Sequence, residues 1–295
     1  TRTPTSGSPR PGPAASTVKP LTPRPSDTRM VPIDSGGGIA ATKRPKAAGD
    51  SDQISSSMAA PWPGSTRNMP GFGGAEKRRD MDYTVAGYAR HLGGIVDALG
   101  VRRVHLVAHD FGGPWSLTWA AANVERVASV SLLNTGVLLD YDWHRLARVW
   151  RTPVIGEVFQ AAAAPAAVRK LLAHDNPGLG RRWVEHLARL TRPWATKRAI
   201  LDLYRSTTQQ MMDRLVAPLA AKDIPSQVIW GTGDVYIPTA QAHRQLEPFP
   251  SADVHLVDGA GHWVWLERPE RVTEILLPFL RQHLDTPHRL ERTPS

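Results

Sequence analysis

A chain of 295 residues is long enough to bury a sizeable core, as one large domain or as a domain carrying an insertion. It has no cysteine, which excludes a disulfide framework, a thiolate metal site and catalysis by a thiol. The formal charge of +9 would suit nucleic acid, but residues 1–70 hold nine Lys or Arg against four Asp or Glu, so the least apolar quarter supplies +5 of it. The later arginines, as in "RLARVWR", sit among apolar residues at helical spacing, the pattern of a solvated helix face. No nucleic-acid partner is therefore expected. No apolar run reaches the roughly 18 to 20 residues of a membrane span, and no secretory-signal pattern is present. The expectation is a cytoplasmic protein without a membrane partner.

Residues 1–67 are rich in Pro, Ser, Thr and Gly and lack apolar periodicity, so burial there would not offset the entropy of ordering the chain, and disorder is expected. From Asp82 the pattern changes. "YTVAGYARHLGGIVDALG" places Val85, Tyr88, Leu92, Val96 and Leu99 at spacings of three and four, which predicts an amphipathic helix ended by Gly100. "VHLVAH" then reads as a buried strand ending at His109, "GPWSLTWAAANV" as a helix, and "VASVSLLNTG" as a second strand. Residues 140–214 are helical in character, with no convincing strand. Alternation resumes with strand "SQVIWG", a helix near 239–246, strand "DVHLVDG" and helix "PERVTEILLPFLRQHL". The pattern predicts an α/β fold with a mostly parallel sheet. Its core would be 68–139 and 215–286, with a helical cap, 140–214, over the C-terminal edge of the strands and a flexible tail, 287–295.

At "AHDFGG" a strand, a glycine-bearing turn and a helix follow one another, the setting of a nucleophile elbow with Asp110 at its tip. The next residue, Phe111, would place its backbone N–H at a helix N-terminus, where negative charge is favoured. The plain alternative for Asp110 is a turn former. Asp234 in "GTGDVYIP" and His262 in "GAGHWVWLERPE" complete the chain order nucleophile, acid, histidine, against plain readings as an Asx-turn residue and a loop histidine. His109 is read as a packing or hydrogen-bonding neighbour of the elbow.

These motifs, with "MPGFGGAEKRRDMDYT" upstream, resemble the α/β-hydrolases with an aspartate nucleophile, the epoxide hydrolases and haloalkane dehalogenases, over about 69–284. The resemblance implies an α/β-hydrolase fold and a small apolar organic substrate with water as co-substrate; with no phosphate-cradling P-loop and no metal-site spacing among the His and acid residues, no cofactor or metal is expected. It also implies Asp110 as nucleophile, with His262 as base and Asp234 as its partner. A carboxylate needs no base to attack saturated carbon, whereas hydrolysis of the resulting ester does. Tyr204, in "AILDLYRST", resembles a lid tyrosine that protonates the opened epoxide, with Tyr141 as a weaker second; Tyr204 could also be a core aromatic. Dehalogenases commonly hold halide through an indole N–H after the nucleophile, a position where Phe111 has no donor. The lid tryptophans Trp143, Trp150, Trp183 and Trp194 could supply one.

One family feature is missing. The chain has no His-Gly-x-Pro, the loop that donates the second oxyanion hydrogen bond; "APWPGS", with Trp62 at the donor position, resembles a fragment of it. Losing one such donor typically costs about 2.7–4 kcal/mol. The early strands are thus expected to be missing or replaced and activity impaired; the leading expectation is an epoxide-hydrolase-like enzyme, the second a haloalkane dehalogenase or other hydrolase on the same scaffold, and the third a non-catalytic binding protein.

Overall fold

The computed structural model describes residues 69–284 together with the backbone of one upstream strand, β1 (Thr28–Asp34). Then follow α1 (Val85–Ala98), β2 (Arg103–His109), α2 (Gly112–Ala122) and β3 (Val127–Leu133). Six helices come next: α3 (Arg145–Arg151), α4 (Ile155–Ala162), α5 (Pro165–Asp175), α6 (Arg181–Leu190), α7 (Trp194–Ser206) and α8 (Gln209–Ala220). The chain closes with β4 (Ser226–Gly231), α9 (Ala240–Arg244), β5 (Asp253–Val257), α10 (Val264–Glu267) and α11 (Pro269–Leu284). The five strands form one parallel sheet in the order β1-β2-β3-β4-β5.

The sheet is covered on both faces, which explains why its central strands read as unbroken apolar runs rather than alternating ones. Every residue of β3 and of β4 is buried. Along β2, Leu106 and Ala108 enter the main core while Val107, pointing the other way, joins a second cluster with Ile229, Val272 and Leu280. The first face is covered by α1 and α2, where Tyr88 stacks on Trp115 with ring centroids 4.1 Å apart, and the second by α11. Helix α1 starts where the Thr84 hydroxyl accepts the Gly87 N–H, an N-cap that satisfies one otherwise unpaired donor.

The expectation of disorder throughout 1–67 needs correction at one place. Residues 28–34, "TRMVPID", run parallel to β2 with Asp34 level with His109, so a strand precedes the recognisable core after all. Its sequence hides it: Pro32 interrupts the run, and a residue without an N–H is tolerated in a sheet at an edge, which β1 is among the described strands. The remainder of that segment, Trp62 included, and the tail 287–295 lie outside the described residues. Helix α8 continues to Ala220, across the expected boundary at 214, because its buried stripe of Met212, Leu215 and Leu219 runs on. Among the described residues no helix is long and apolar enough to cross a membrane.

Candidate active site

The C-terminal ends of β2, β3 and β4 and the loop after β5 converge. At the end of β2 the chain turns through Asp110 with φ of 47°, a left-handed conformation that non-glycine residues rarely adopt and aspartate tolerates better than most. The turn is held from β3: Thr135 Oγ1 donates to the Asp110 carbonyl at 2.5 Å, and the Gly113 N–H donates to the same oxygen at 3.0 Å. Glycine is required at 113, since a Cβ there would stand 2.1 Å from Thr135 Oγ1. Phe111 lies immediately before α2, in the turn whose N–H groups have no acceptor within the helix.

Asn134, one residue past β3, is also left-handed (φ 47°) and fully buried. Its Oδ1 accepts the Gly231 N–H at 3.0 Å and its Nδ2 donates to Asp234 Oδ2 at 2.8 Å, so one side chain ties the end of β4 to the carboxylate beyond it. Asp234 Oδ1 accepts the backbone N–H groups of Tyr236 (2.8 Å) and Ile237 (3.0 Å). His262 Nδ1 donates to Asp234 Oδ2 at 2.8 Å. An ionised carboxylate only accepts, so the hydrogen of this bond sits on Nδ1. Burial alone would push the Asp234 carboxyl up. The His262 imidazole and the donors from Ile237 and Asn134 outweigh it and hold the group below the usual carboxylate range. The loop carrying His262 reaches Asp234 because Gly231 lets the backbone in: a Cβ there would lie 2.4 Å from the Ala260 carbonyl. His109 is a hydrogen-bonding neighbour as expected, its Nε2 donating to the His262 carbonyl at 3.1 Å.

Asp110 and His262 open onto one cavity of about 620 Å³ between the strand ends and the six-helix insert. Phe111, Tyr141 and Tyr204 line it as well, so five of the seven candidate catalytic, oxyanion and substrate residues meet at one cavity, with Asp234 hydrogen-bonded to His262. Trp143 and Trp150 also line it; Trp183 and Trp194 do not, the first lying under the Arg182 guanidinium and the second being exposed. The far wall is apolar, built from residues such as Leu171, Leu172, Leu187 and Leu190.

The hydroxyls differ in what they can offer. Tyr141 donates to the Tyr236 carbonyl at 2.8 Å and is thereby engaged. Tyr204 lies edge-on to Phe111, with centroids 4.8 Å apart, and its hydroxyl is 3.5 Å from His144 Nε2. His144 Nδ1 accepts the Ala147 N–H at the start of α3, and burial pushes its pKa down to about 4, so the neutral ring carries its hydrogen on Nε2 and points it at the Tyr204 oxygen. That leaves the Tyr204 hydrogen for a ligand. Burial first, then the nearby Asp110 charge, raise the Tyr204 pKa well above its ordinary value and keep it a donor. His144, Asn134, Thr135 and Tyr236 were not singled out in the sequence. Asn134 and Thr135 were read only as the end of the strand "VASVSLLNTG", and Tyr236 only as part of "GTGDVYIP".

A family model for the alpha/beta hydrolase fold matches residues 66–269, more than half of the chain, and the chain belongs to that family. Among curated proteins it is 28% identical over 231 residues to an uncharacterized protein of Mycobacterium tuberculosis, covering 72% of this chain and 66% of that protein. It is 26% identical over 208 residues to a 2-hydroxy-6-oxononadienedioate/2-hydroxy-6-oxononatrienedioate hydrolase of Burkholderia vietnamiensis, covering 66% and 68%. The crystal structure of a haloalkane dehalogenase from Bradyrhizobium elkani superposes with a TM-score of 0.64 at 20% identity, over 76% of this chain and 83% of that one. The chain thus spans about two thirds of the length of the curated relatives it matches.

Proposed function

We propose that the protein is a hydrolase that opens a small apolar epoxide through an ester on Asp110. The observation that carries this reading is the juxtaposition at the elbow: a carboxylate held in a left-handed turn, facing the same cavity as an imidazole whose Nδ1 is fixed by Asp234. In the first step an Asp110 oxygen attacks a ring carbon, the C–O bond of the epoxide breaks, and the departing alkoxide takes the Tyr204 proton. In the second, His262 Nε2 removes a proton from water as its oxygen adds to the ester carbonyl, with the Phe111 N–H available to the oxyanion. Collapse expels the second diol oxygen, which takes the proton held by His262, and the carboxylic acid left on Asp110 gives its proton through water to the Tyr204 phenolate, so that both groups are restored. The six helices act as the cap that excludes bulk water from the ester.

With His262→Gln the second step should fail while the first proceeds, so incubation with an epoxide should leave a covalent adduct on Asp110, seen by peptide mass spectrometry. No adduct with any of a panel of apolar epoxides would sink the proposal.

One observation favours a dehalogenase reading instead: the buried indole N–H of Trp150, which lines the cavity beside Tyr204, has no hydrogen-bond partner among the described residues. Halide released from haloalkanes, raised further by Phe111→Trp, would select that reading. The binding-protein reading would win if Asp110→Ala altered stability alone.

A further inference from the structure

The helical insert carries a surface that neither the fold nor the proposed chemistry uses. Over residues 153–168, the run "PVIGEVFQAAAAPAAV", the sole charged residue is Glu157, which is paired with both terminal nitrogens of Arg205 at 2.6 and 2.8 Å. Most of the run faces outward. Val154 is 71% exposed, Ile155 56% and Val158 63%, and Phe159 with the alanines on either side of Pro165 continues the patch. Ile155, Val158 and Phe159 stand at i, i+3 and i+4 on α4, so they form one stripe, while Gly156 and Gln160 turn inward. A stripe of that size on an isolated domain marks an interaction surface. Val154 adds a second indication. It is β-branched yet holds a φ of 69°, a strained conformation that no burial of its side chain offsets.

Charge decides what the surface meets. Between Asp142 and Asp175 there are five Lys or Arg, at 145, 148, 151, 169 and 170, and the one carboxylate is the already paired Glu157. Arg148 at one end, and Arg169 and Lys170 at the other, are exposed. A second copy of the chain would bring these cations together with like charge, whereas a phosphate-bearing surface would complement them. Part of the patch also belongs to the cavity lining: Phe159, Ala162, Ala167 and Leu171 line the cavity and are exposed. Whatever covers the patch lies against residues of the cavity lining.

We propose that residues 153–171 dock the protein on an anionic lipid surface, with α4 lying in the interface and the cavity opening toward the lipid, so that apolar substrate enters from the bilayer. This departs from the expectation of no membrane partner, which rested on the lack of a spanning segment; an interfacial amphipathic helix needs none. The docking stands whether or not Asp110 is a nucleophile.

The test is flotation of the full chain with vesicles of phosphatidylcholine alone or mixed with phosphatidylglycerol. Wild type should float with the mixed vesicles and fall away in high salt. Ile155→Glu/Val158→Glu should weaken flotation by at least about tenfold, because two exposed apolar side chains that would enter the lipid are replaced by charges that repel the surface. Arg169→Glu/Lys170→Glu, which leaves the apolar stripe intact, should do so as well, and both variants should keep the wild-type melting temperature. Wild type that stays unbound, or Glu variants that float like wild type, would overturn the proposal. So would a wild-type dimer that Ile155→Glu/Val158→Glu converts to monomer, which would make the patch a contact between copies.

Discussion

Replacing Gly113 by alanine tests how the elbow is built. The new Cβ would lie 2.1 Å from Thr135 Oγ1 and 3.0 Å from its Cγ2, where ordinary contact begins near 3.4 Å. Thr135 cannot stay, and moving it also breaks its hydrogen bond to the Asp110 carbonyl. Overpacking of this kind costs about 1–3 kcal/mol and the hydrogen bond about 0.5–1.5, so Gly113→Ala should destabilise by roughly 2–4 kcal/mol. Thr135→Ala alone forfeits the hydrogen bond, about 1 kcal/mol. In the double variant both clashing atoms are gone, and the nearest obstacle is the Gly136 nitrogen at 3.1 Å, which has to give by a few tenths of an ångström. The double variant should therefore cost about 1–2 kcal/mol, less than Gly113→Ala by itself. Urea unfolding of the three variants measures this directly. Costs that simply add within about 0.5 kcal/mol would refute the idea that the glycine exists to admit Thr135 against the elbow.

Tyr204→Phe should slow epoxide opening by about a hundredfold or more, the usual worth of a positioned acid, and Tyr141→Phe by less than about tenfold because its hydroxyl is committed to the Tyr236 carbonyl; pre-steady-state rates of adduct formation compare the two. Asp234→Asn should leave ester formation intact and slow ester hydrolysis by about a thousandfold or more, since the amide favours the wrong imidazole tautomer, and adduct should accumulate on Asp110 during turnover. Stability should fall in acid. His105 is buried against Ser129, and desolvation, aided by His283 and Arg103, pushes its pKa from 6.5 down to about 4. The fold thus prefers the neutral ring, so its contribution is complete above pH 6.5 and is lost as pH falls through 4. By linkage that is on the order of 3 kcal/mol, and urea midpoints of His105→Asn should vary less with pH over that window than those of wild type.

Much of this arrangement was legible in the sequence because its signals are local. The strands at β2, β3 and β4 are apolar runs bounded by turn residues, β4 and α11 fall on the residues predicted, and the elbow announces itself through an acid set between a strand and two glycines. Local signals could not find β1, whose Pro32 argues against a strand until β2 is there to pair with. Nor could they single out Asn134, which is important because its amide reaches Gly231 and Asp234 about a hundred residues away. His144 looked like any of the other histidines; what gives it a role is that α3 and α7 bring it to Tyr204. Residues that act by projecting from an element were read. Those that act by bridging elements appear once the sheet is assembled.

The central claim is that an Asp110 oxygen, and not water, makes the first bond to substrate carbon. Turnover of an apolar epoxide in heavy-oxygen water, followed by mass analysis of the Asp110 peptide, tests it most directly. Heavy oxygen should enter the Asp110 carboxylate, with the diol of the first turnover carrying the enzyme's own light oxygen. Diol labelled from the first turnover, with an unlabelled Asp110 peptide, would contradict it.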